Sequence, residues 1–189
     1  MNDKFKKKYL FSSARLQNWD YASEGAYFIT ICTKDRKHYL GEIVEEEMIL
    51  SNVGVIADLM WYEIKNHSKN IELGEYVIMP NHMHGILILN DVPLPVVETL
   101  HATSLRVESS THKNEQMAKI SPKSNSISSI IRGYKSAVTK HCNRLGFDFA
   151  WQTRFHDHII RDAQSFENIQ NYIWSNPMNW EKDKFYRDI

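Results

Sequence analysis

The sequence predicts an α+β domain: a central, mostly antiparallel sheet with helices packed mainly on one of its faces. Three observations carry this. Stretches rich in β-branched and aromatic residues alternate with helical ones in the order strand, strand, helix, strand, strand, helix, strand, helix. Two strand-like stretches, Ile71–Met79 and His82–Leu89, are divided only by Pro80-Asn81, a break that suits neighbouring antiparallel strands. The chain has 189 residues, 42% of them apolar, which fits one domain over 1–189 with a single core.

The elements follow in order. Residues 26–33 (AYFITICT) are β-branched and aromatic and read as a strand. Residues 39–50 read as a second strand or a hairpin, with Glu45, Glu46 and Glu47 at its exposed turn. Ser51 and Asn52 offer a cap for a helix over 53–65, in which Val55, Leu59 and Ile64 recur at helical spacing. After the strand pair, residues 91–125 change character: Pro93, Pro95 and many Ser and Thr, with little apolar periodicity, mark a long flexible insertion. Ser126 caps a helix to Arg144 with the apolar stripe Ile127, Ile130, Ile131, Tyr134 and Val138. The alternating run WQTRFHDHII, 151–160, reads as a strand. Ser165 caps a last helix over 166–175, which stops at Asn176-Pro177 because a residue preceding proline avoids the α region.

Composition narrows the function classes. No apolar run approaches the roughly 20 residues that cross a bilayer, and the basic start MNDKFKKKYLFSS lacks the apolar stretch of a secretory signal. Cys32 and Cys142 are far apart with no CxxC, which fits a reducing cytoplasm and argues against a disulfide scaffold and a cysteine-based zinc site. Lys plus Arg equals Asp plus Glu, 23 each, so net charge offers no argument for nucleic acid. Basic residues do gather, in KFKKK at 4–8 and in Arg132, Lys135, Lys140 and Arg144, whereas acidic ones gather at Glu42 and Glu45 to Glu47.

In YVIMPNHMHGILIL, His82 and His84 stand two apart on a strand, so both imidazoles project from one face while Met83 packs on the other. Two imidazoles side by side are half of a divalent-metal site. The apolar flanks make the strand a rigid place for a ligand pair. A second pair, His156 and His158 in FHDHII, has the same spacing and competes with it. The last helix carries YIWSNP, where Tyr172 and Asn176 lie four apart on one face and Ile169 and Ile173 form the docking face. A tyrosine hydroxyl is a nucleophile toward an activated phosphorus centre, and its pKa near 10 calls for a Lewis acid beside it. Two imidazoles, an amide oxygen, water and phosphate oxygens suit Mg²⁺ or Mn²⁺.

HMH preceded by MPN, followed by GIL and much later by YIxxNP, resembles the HUH single-strand DNA endonucleases, and within them the REP-associated tyrosine transposases, relatives of the small single-strand insertion-sequence transposases. The resemblance covers nearly the whole chain. GAYFITICT at 25–33 is similar to the family's opening strand, Tyr134-Lys135-Ser136 to the centre of its middle helix, and 151–161 to the strand before the tyrosine helix. It implies a ferredoxin-like HUH domain and a metal held by His82, His84 and Asn176, with Tyr172 as nucleophile. It also implies cleavage of single-stranded DNA near a hairpin through a 5′-phosphotyrosine bond, with rejoining by a 3′-hydroxyl and no ATP. Arg132, Lys135, Lys140, Arg154 and Arg161 are the candidates for phosphate contacts, Lys135 first among them, and Gln152 and His158 for orienting the tyrosine or a water.

The expected partner is single-stranded, hairpin-forming DNA, reached by a monomer or homodimer in the cytoplasm at the nucleoid. Two other functions fit the same residues: a rolling-circle-type nicking enzyme, although the chain has no GxxxxGK[ST] sequence, and a host-retained hairpin binder that regulates without cutting.

Overall fold

The computed structural model describes Asp20 and residues 22–68, 70–90 and 125–187. The basic stretch at 4–8 and nearly all of the expected insertion at 91–125 lie outside the described residues. The strands are β1 (Gly25–Thr33), β2 (Gly41–Val44), β3 (Glu47–Leu50), β4 (Ile71–Met79), β5 (His82–Leu89) and β6 (Trp151–Ile160). The helices are α1 (Asn52–His67), α2 (Ile127–Arg144) and α3 (Ala163–Trp174), and 3₁₀ turns follow β1 (Lys34–Arg36) and α3 (Pro177–Lys182). No helix among the described residues is long and apolar enough to cross a membrane.

The main sheet has the order β4-β5-β1-β6, and every neighbouring pair is antiparallel. With α1 crossing from β1 to β4 and α2 preceding β6, this is the ferredoxin-like arrangement. β2 and β3 form a separate hairpin whose turn residues, Glu45 and Glu46, both take positive φ (50° and 66°), the twist that matches a tight hairpin.

Strand alternation divides the core in two. Tyr27, Ile29 and Ile31 of β1 and Met83, Leu87 and Leu89 of β5 face α1 and α2 in the larger cluster. The opposite face carries Phe28, Ile86, Ile88 and Ile160, on which α3 docks through Phe166, Ile169 and Ile173. Two helices therefore share one face, and α3 lies alone on the other. That leaves the polar ends of β1 and β5 beside α3 free to form a site.

Two expectations shift. The buried line of α1 is Val53, Ala57, Trp61 and Ile64, while Val55 and Leu59 are 45% and 54% exposed. The helix turns its Trp61 side to the sheet because Gly85 leaves room for the ring: a Cβ there would lie 2.4 Å from Trp61 Cζ2. The last helix begins earlier than Ser165, because the Asp162 carboxylate accepts from the Ser165 backbone N–H at 2.8 Å and caps the first turn itself. The caps at Ser51 and Ser126 form as expected, accepting from Gly54 and Ser129 N–H at 3.1 and 3.3 Å.

Candidate active site

His82 and His84 begin β5, next to the sheet's centre, and both are fully buried. The register sets Thr30 opposite His84 and Cys32 opposite His82. Each ring is held from behind. Thr30 Oγ1 lies 2.8 Å from His84 Nδ1. His82 Nδ1 lies 2.9 Å from Asn81 Oδ1, and Asn81 Nδ2 donates to the Phe185 carbonyl at 2.9 Å. That second bond orients the Asn81 amide, so its oxygen faces the imidazole. A carbonyl oxygen only accepts, so His82 carries its proton on Nδ1 and presents the Nε2 lone pair forward. There Nε2 is buried and without a hydrogen-bond partner.

Helix α3 brings in the tyrosine. Ile173 anchors its apolar side, and Tyr172, 39% exposed, turns its hydroxyl over β5, 3.2 Å from His84 Nε2. Phe28 fixes the approach, stacked on His84 with centroids 5.1 Å apart and edge-on to the Tyr172 ring at 6.1 Å. Asn176 sits just past the helix end, 2% exposed, with Oδ1 buried and unpartnered.

A residue that sequence reasoning missed joins them. Asp183 Oδ2 accepts from the Tyr172 hydroxyl at 3.2 Å and from Asn176 Nδ2 at 3.3 Å. Its ligand atom and those of His82 and His84 all lie within 4.8 Å of one another, the only such His, Cys, Asp or Glu group among the described residues. Asp183 follows the 3₁₀ turn at Pro177–Lys182, which folds the chain back toward the sheet. No periodicity links it to Tyr172, and Glu181 beside it offers the same chemistry in sequence.

The electrostatics suit a cation. Burial, with the Arg36 and Lys184 charges adding to it, pushes the His82 imidazole down to about 3. Burial and the neighbouring His82 hold His84 well below the usual histidine range. Both rings are therefore neutral near pH 7, the form that ligates metal. Burial and then the Asp183 carboxylate raise the Tyr172 phenol to about 12, so it is protonated in the metal-free protein. Two imidazole nitrogens, an amide oxygen and a carboxylate, with two buried donor atoms lacking any other partner, form a set that fits a divalent metal of the Mn²⁺ or Mg²⁺ type.

The other expected residues divide. On the edge strand β6, His156 pairs with Thr30 and His158 with Phe28, so this second pair shares the face of the first but is exposed to solvent. Arg154 and Gln152 are also exposed, in the stretch where the ladder between β1 and β6 is irregular, and Arg161 is exposed just beyond the strand. Two strand spacings, about 10 Å, separate this row from β5, with Phe28 and Thr30 between. Lys135 lies on the opposite side, where its ammonium donates to the carbonyls of Gln152 (2.6 Å) and Thr153 (3.2 Å) and braces the start of β6. Arg132 and Lys140 are exposed on α2, the helix packed on the face away from the histidines. Tyr134 is buried, with its hydroxyl 3.1 Å from the Ala57 carbonyl and 3.0 Å from Met83 Sδ.

No family model matches the chain. A Haemophilus influenzae protein named "Uncharacterized protein" is 36% identical over 182 residues, spanning 93% of each chain. Another from the same organism, named "Putative REP-associated tyrosine transposase", is 24% identical over 180 residues, covering 90% of this chain and 85% of that one. The fold matches the solved structure of a REP-associated tyrosine transposase bound to a REP hairpin, with a TM-score of 0.55 and 20% identity over 90% of this chain and 77% of that one.

Proposed function

We propose that this chain is a REP-associated tyrosine transposase, as its likeness to one such relative and to the fold of another supports, and that it is a metal-dependent endonuclease and ligase of single-stranded DNA that works near hairpins through a 5′-phosphotyrosine intermediate. One observation carries the reading: the Tyr172 hydroxyl stands 3.2 Å from His84 Nε2 beside the unpartnered His82 Nε2 and Asn176 Oδ1. A tyrosine with only a packing role needs no such company, and a histidine pair on a solvated sheet face would not be buried with one nitrogen unpaired.

The residues divide the work. His82, His84 and Asn176, with Asp183, would hold Mg²⁺ or Mn²⁺. A bound divalent cation supplies Lewis-acid polarisation of a phosphate oxygen. Tyr172 Oη attacks the phosphorus, the Oη–P bond forms and the P–O3′ bond breaks. The electron pair leaves on O3′; the phenol releases its proton to solvent as Oη attacks, and O3′ takes one up from solvent, so the step is proton-neutral. The product is a 5′-phosphate on Tyr172 and a free 3′-hydroxyl. Attack by a 3′-hydroxyl on that phosphotyrosine rejoins DNA and returns the phenol, so no nucleotide triphosphate is needed. Asp183 accepts the hydroxyl hydrogen bond and aims the phenol oxygen, and Phe28 keeps the ring from turning away. Thr30 and Asn81 hold the imidazoles in the ligating orientation.

Chemistry as well as kinship supports DNA as the substrate. The solved relative carries a REP hairpin, and here His156 and His158 form an exposed polar row on the site's own face, with Arg154 and Gln152 exposed on the same strand. Arg161 continues that row. Lys135 contributes by bracing β6, and Arg132 and Lys140 are left for duplex phosphates reaching round to α2.

Labelled hairpin oligonucleotides with Mg²⁺, Mn²⁺ or EDTA test the reading. The expected result is a denaturant-resistant protein–DNA adduct that needs metal and is lost in Tyr172→Phe and His82→Ala. An adduct that survives in Tyr172→Phe overturns the assignment of the nucleophile. Hairpin binding with no adduct under any metal points to a regulatory binder. Light scattering on the DNA complex decides between monomer and dimer.

A further inference from the structure

His156 and His158 lie outside the buried metal site and repeat its spacing on the same face of the sheet. The cross-strand rows fix where. Thr30 has His84 on one side and His156 on the other, and Phe28 stands between Ile86 and His158. Asp157 pairs with Ile29, so it falls on the helix-facing side. The two imidazoles therefore project together from an edge strand, and both are exposed. Among the described residues neither ring has a hydrogen bond or a ring contact.

A spacing of two on a strand sets the Cα atoms about 6.6 Å apart. From there two imidazoles can bring one nitrogen each to a shared cation at about 2.0–2.1 Å. The sheet supplies its own measure of that reach: with the same spacing on β5, the ring centroids of His82 and His84 lie 4.6 Å apart. On β6 the backbone is held by its ladder to β1, from Ala26–Ile160 to Ile31–Phe155, while the rings are free to turn toward a common ligand.

The two pairs differ in company. His82 and His84 have the Asp183 carboxylate and the Asn176 amide oxygen beside them, oxygen donors that admit Mg²⁺ or Mn²⁺. No third His, Cys, Asp or Glu among the described residues comes within ligating distance of the exposed pair. Two imidazoles completed by water suit the later cations Cu²⁺, Ni²⁺ and Zn²⁺, and Mg²⁺ least. The pair is also too far away to extend the buried centre. Paired metal ions that share one phosphate stand about 3.5–4 Å apart, whereas two strand spacings, about 10 Å, lie between these rows.

We infer that His156 and His158 form a second, solvent-open metal site that chelates one late first-row divalent cation, Cu²⁺, Ni²⁺ or Zn²⁺. Its occupant places a divalent charge on the face of the buried site. It does so beside Thr30 and Phe28, the residues that hold His84 and Tyr172. The coordination positions that the imidazoles leave over are open to water or to an anionic oxygen. The inference needs neither DNA nor turnover and goes beyond the nuclease reading.

Calorimetric titration of the metal-free full chain with Cu²⁺, Ni²⁺, Zn²⁺ or Mg²⁺, each alone, tests it. Wild type should take up one more equivalent of each late metal than His156→Gln or His158→Gln, because losing either ring breaks the chelate. Mg²⁺ should not distinguish the three proteins. His67→Gln, which removes an exposed histidine of α1, should match wild type throughout. The paramagnetic resonance of Cu²⁺, wild type minus variant, should carry the coupling of two nitrogens. Both substituted positions are exposed, so the metal-free variants should melt with wild type. Equal uptake of all three late metals by wild type and both variants overturns the site. The same loss in His67→Gln also overturns it, since it would mark indiscriminate binding to surface histidines. The nuclease reading stands or falls on the DNA adduct, so the two fail separately.

Discussion

Tyr172 is the residue on which the chemistry turns, and its surroundings make its behaviour checkable before any DNA is added. The Asp183 carboxylate helps hold the phenol near 12 by disfavouring a second negative charge. Asp183→Asn removes that charge, so the Tyr172 pKa should fall. A tyrosinate absorbance titration of the metal-free protein, differenced against Tyr172→Phe, reads the shift; an unchanged or higher value would mean that burial alone sets it. Asn81 makes a second residue-scale case. It fixes the His82 tautomer and ties it to the Phe185 carbonyl. Asn81→Ala should leave both imidazoles in place yet weaken Mn²⁺ binding by about 10- to 100-fold, as removal of partners behind metal ligands does, measured by calorimetric titration.

At the scale of elements, the site depends on how β5 is seated. Gly85 follows the histidines directly, and a methyl group there would meet Trp61 Cζ2 at 2.4 Å. Trp61 is wholly buried and cannot swing away. Gly85→Ala should therefore destabilise the fold by about 1–3 kcal/mol in chemical denaturation and displace the strand that carries the ligands. Helix α3 has a pH signature of its own. The Ser165 backbone N–H and hydroxyl hold the Asp162 carboxyl below its ordinary range. A carboxylate depressed in the folded state adds stability above its unfolded pKa and loses it as pH falls through the folded value. Acid melts should show that loss in wild type and a shallower decline in Asp162→Asn, which keeps an N-cap oxygen but does not titrate.

For the molecule as a whole, the ligands come from β5, the segment just past α3 and the residue after the 3₁₀ turn, so a metal would cross-link parts of the chain that only the fold brings together. Mn²⁺ should then raise the melting temperature, by about 2.7 kcal/mol of stability at roughly 100 times its Kd, because the unfolded chain has no such site. His82→Ala should abolish the rise. The balanced charge belongs to this scale too. Neutrality in sum is compatible with DNA because cations such as Lys34, Arg36, Lys184 and Arg187 gather by the site, while Glu42, Glu45 and Glu46 lie in the separate hairpin of β2 and β3.

The sequence alone determined the strands and helices, their order, the pairing of His82 with His84 and the common side of Tyr172 and Asn176. These depend on periods of two and 3.6 residues and on local caps, which neighbouring residues impose on one another. Its errors were local choices between near equivalents: Asp162 instead of Ser165 as the cap, and the Ala57–Trp61 side of α1 instead of Val55 and Leu59, decided by the space above Gly85. Only the tertiary structure decided that α3 lies on the face opposite the other two helices, that the exposed pair on β6 stands apart from the buried pair, that Lys135 braces carbonyls, and that Asp183 and Arg36 come to the histidines. Those facts depend on contacts between residues tens of positions apart, set by packing and chain reversal, which no local spacing encodes.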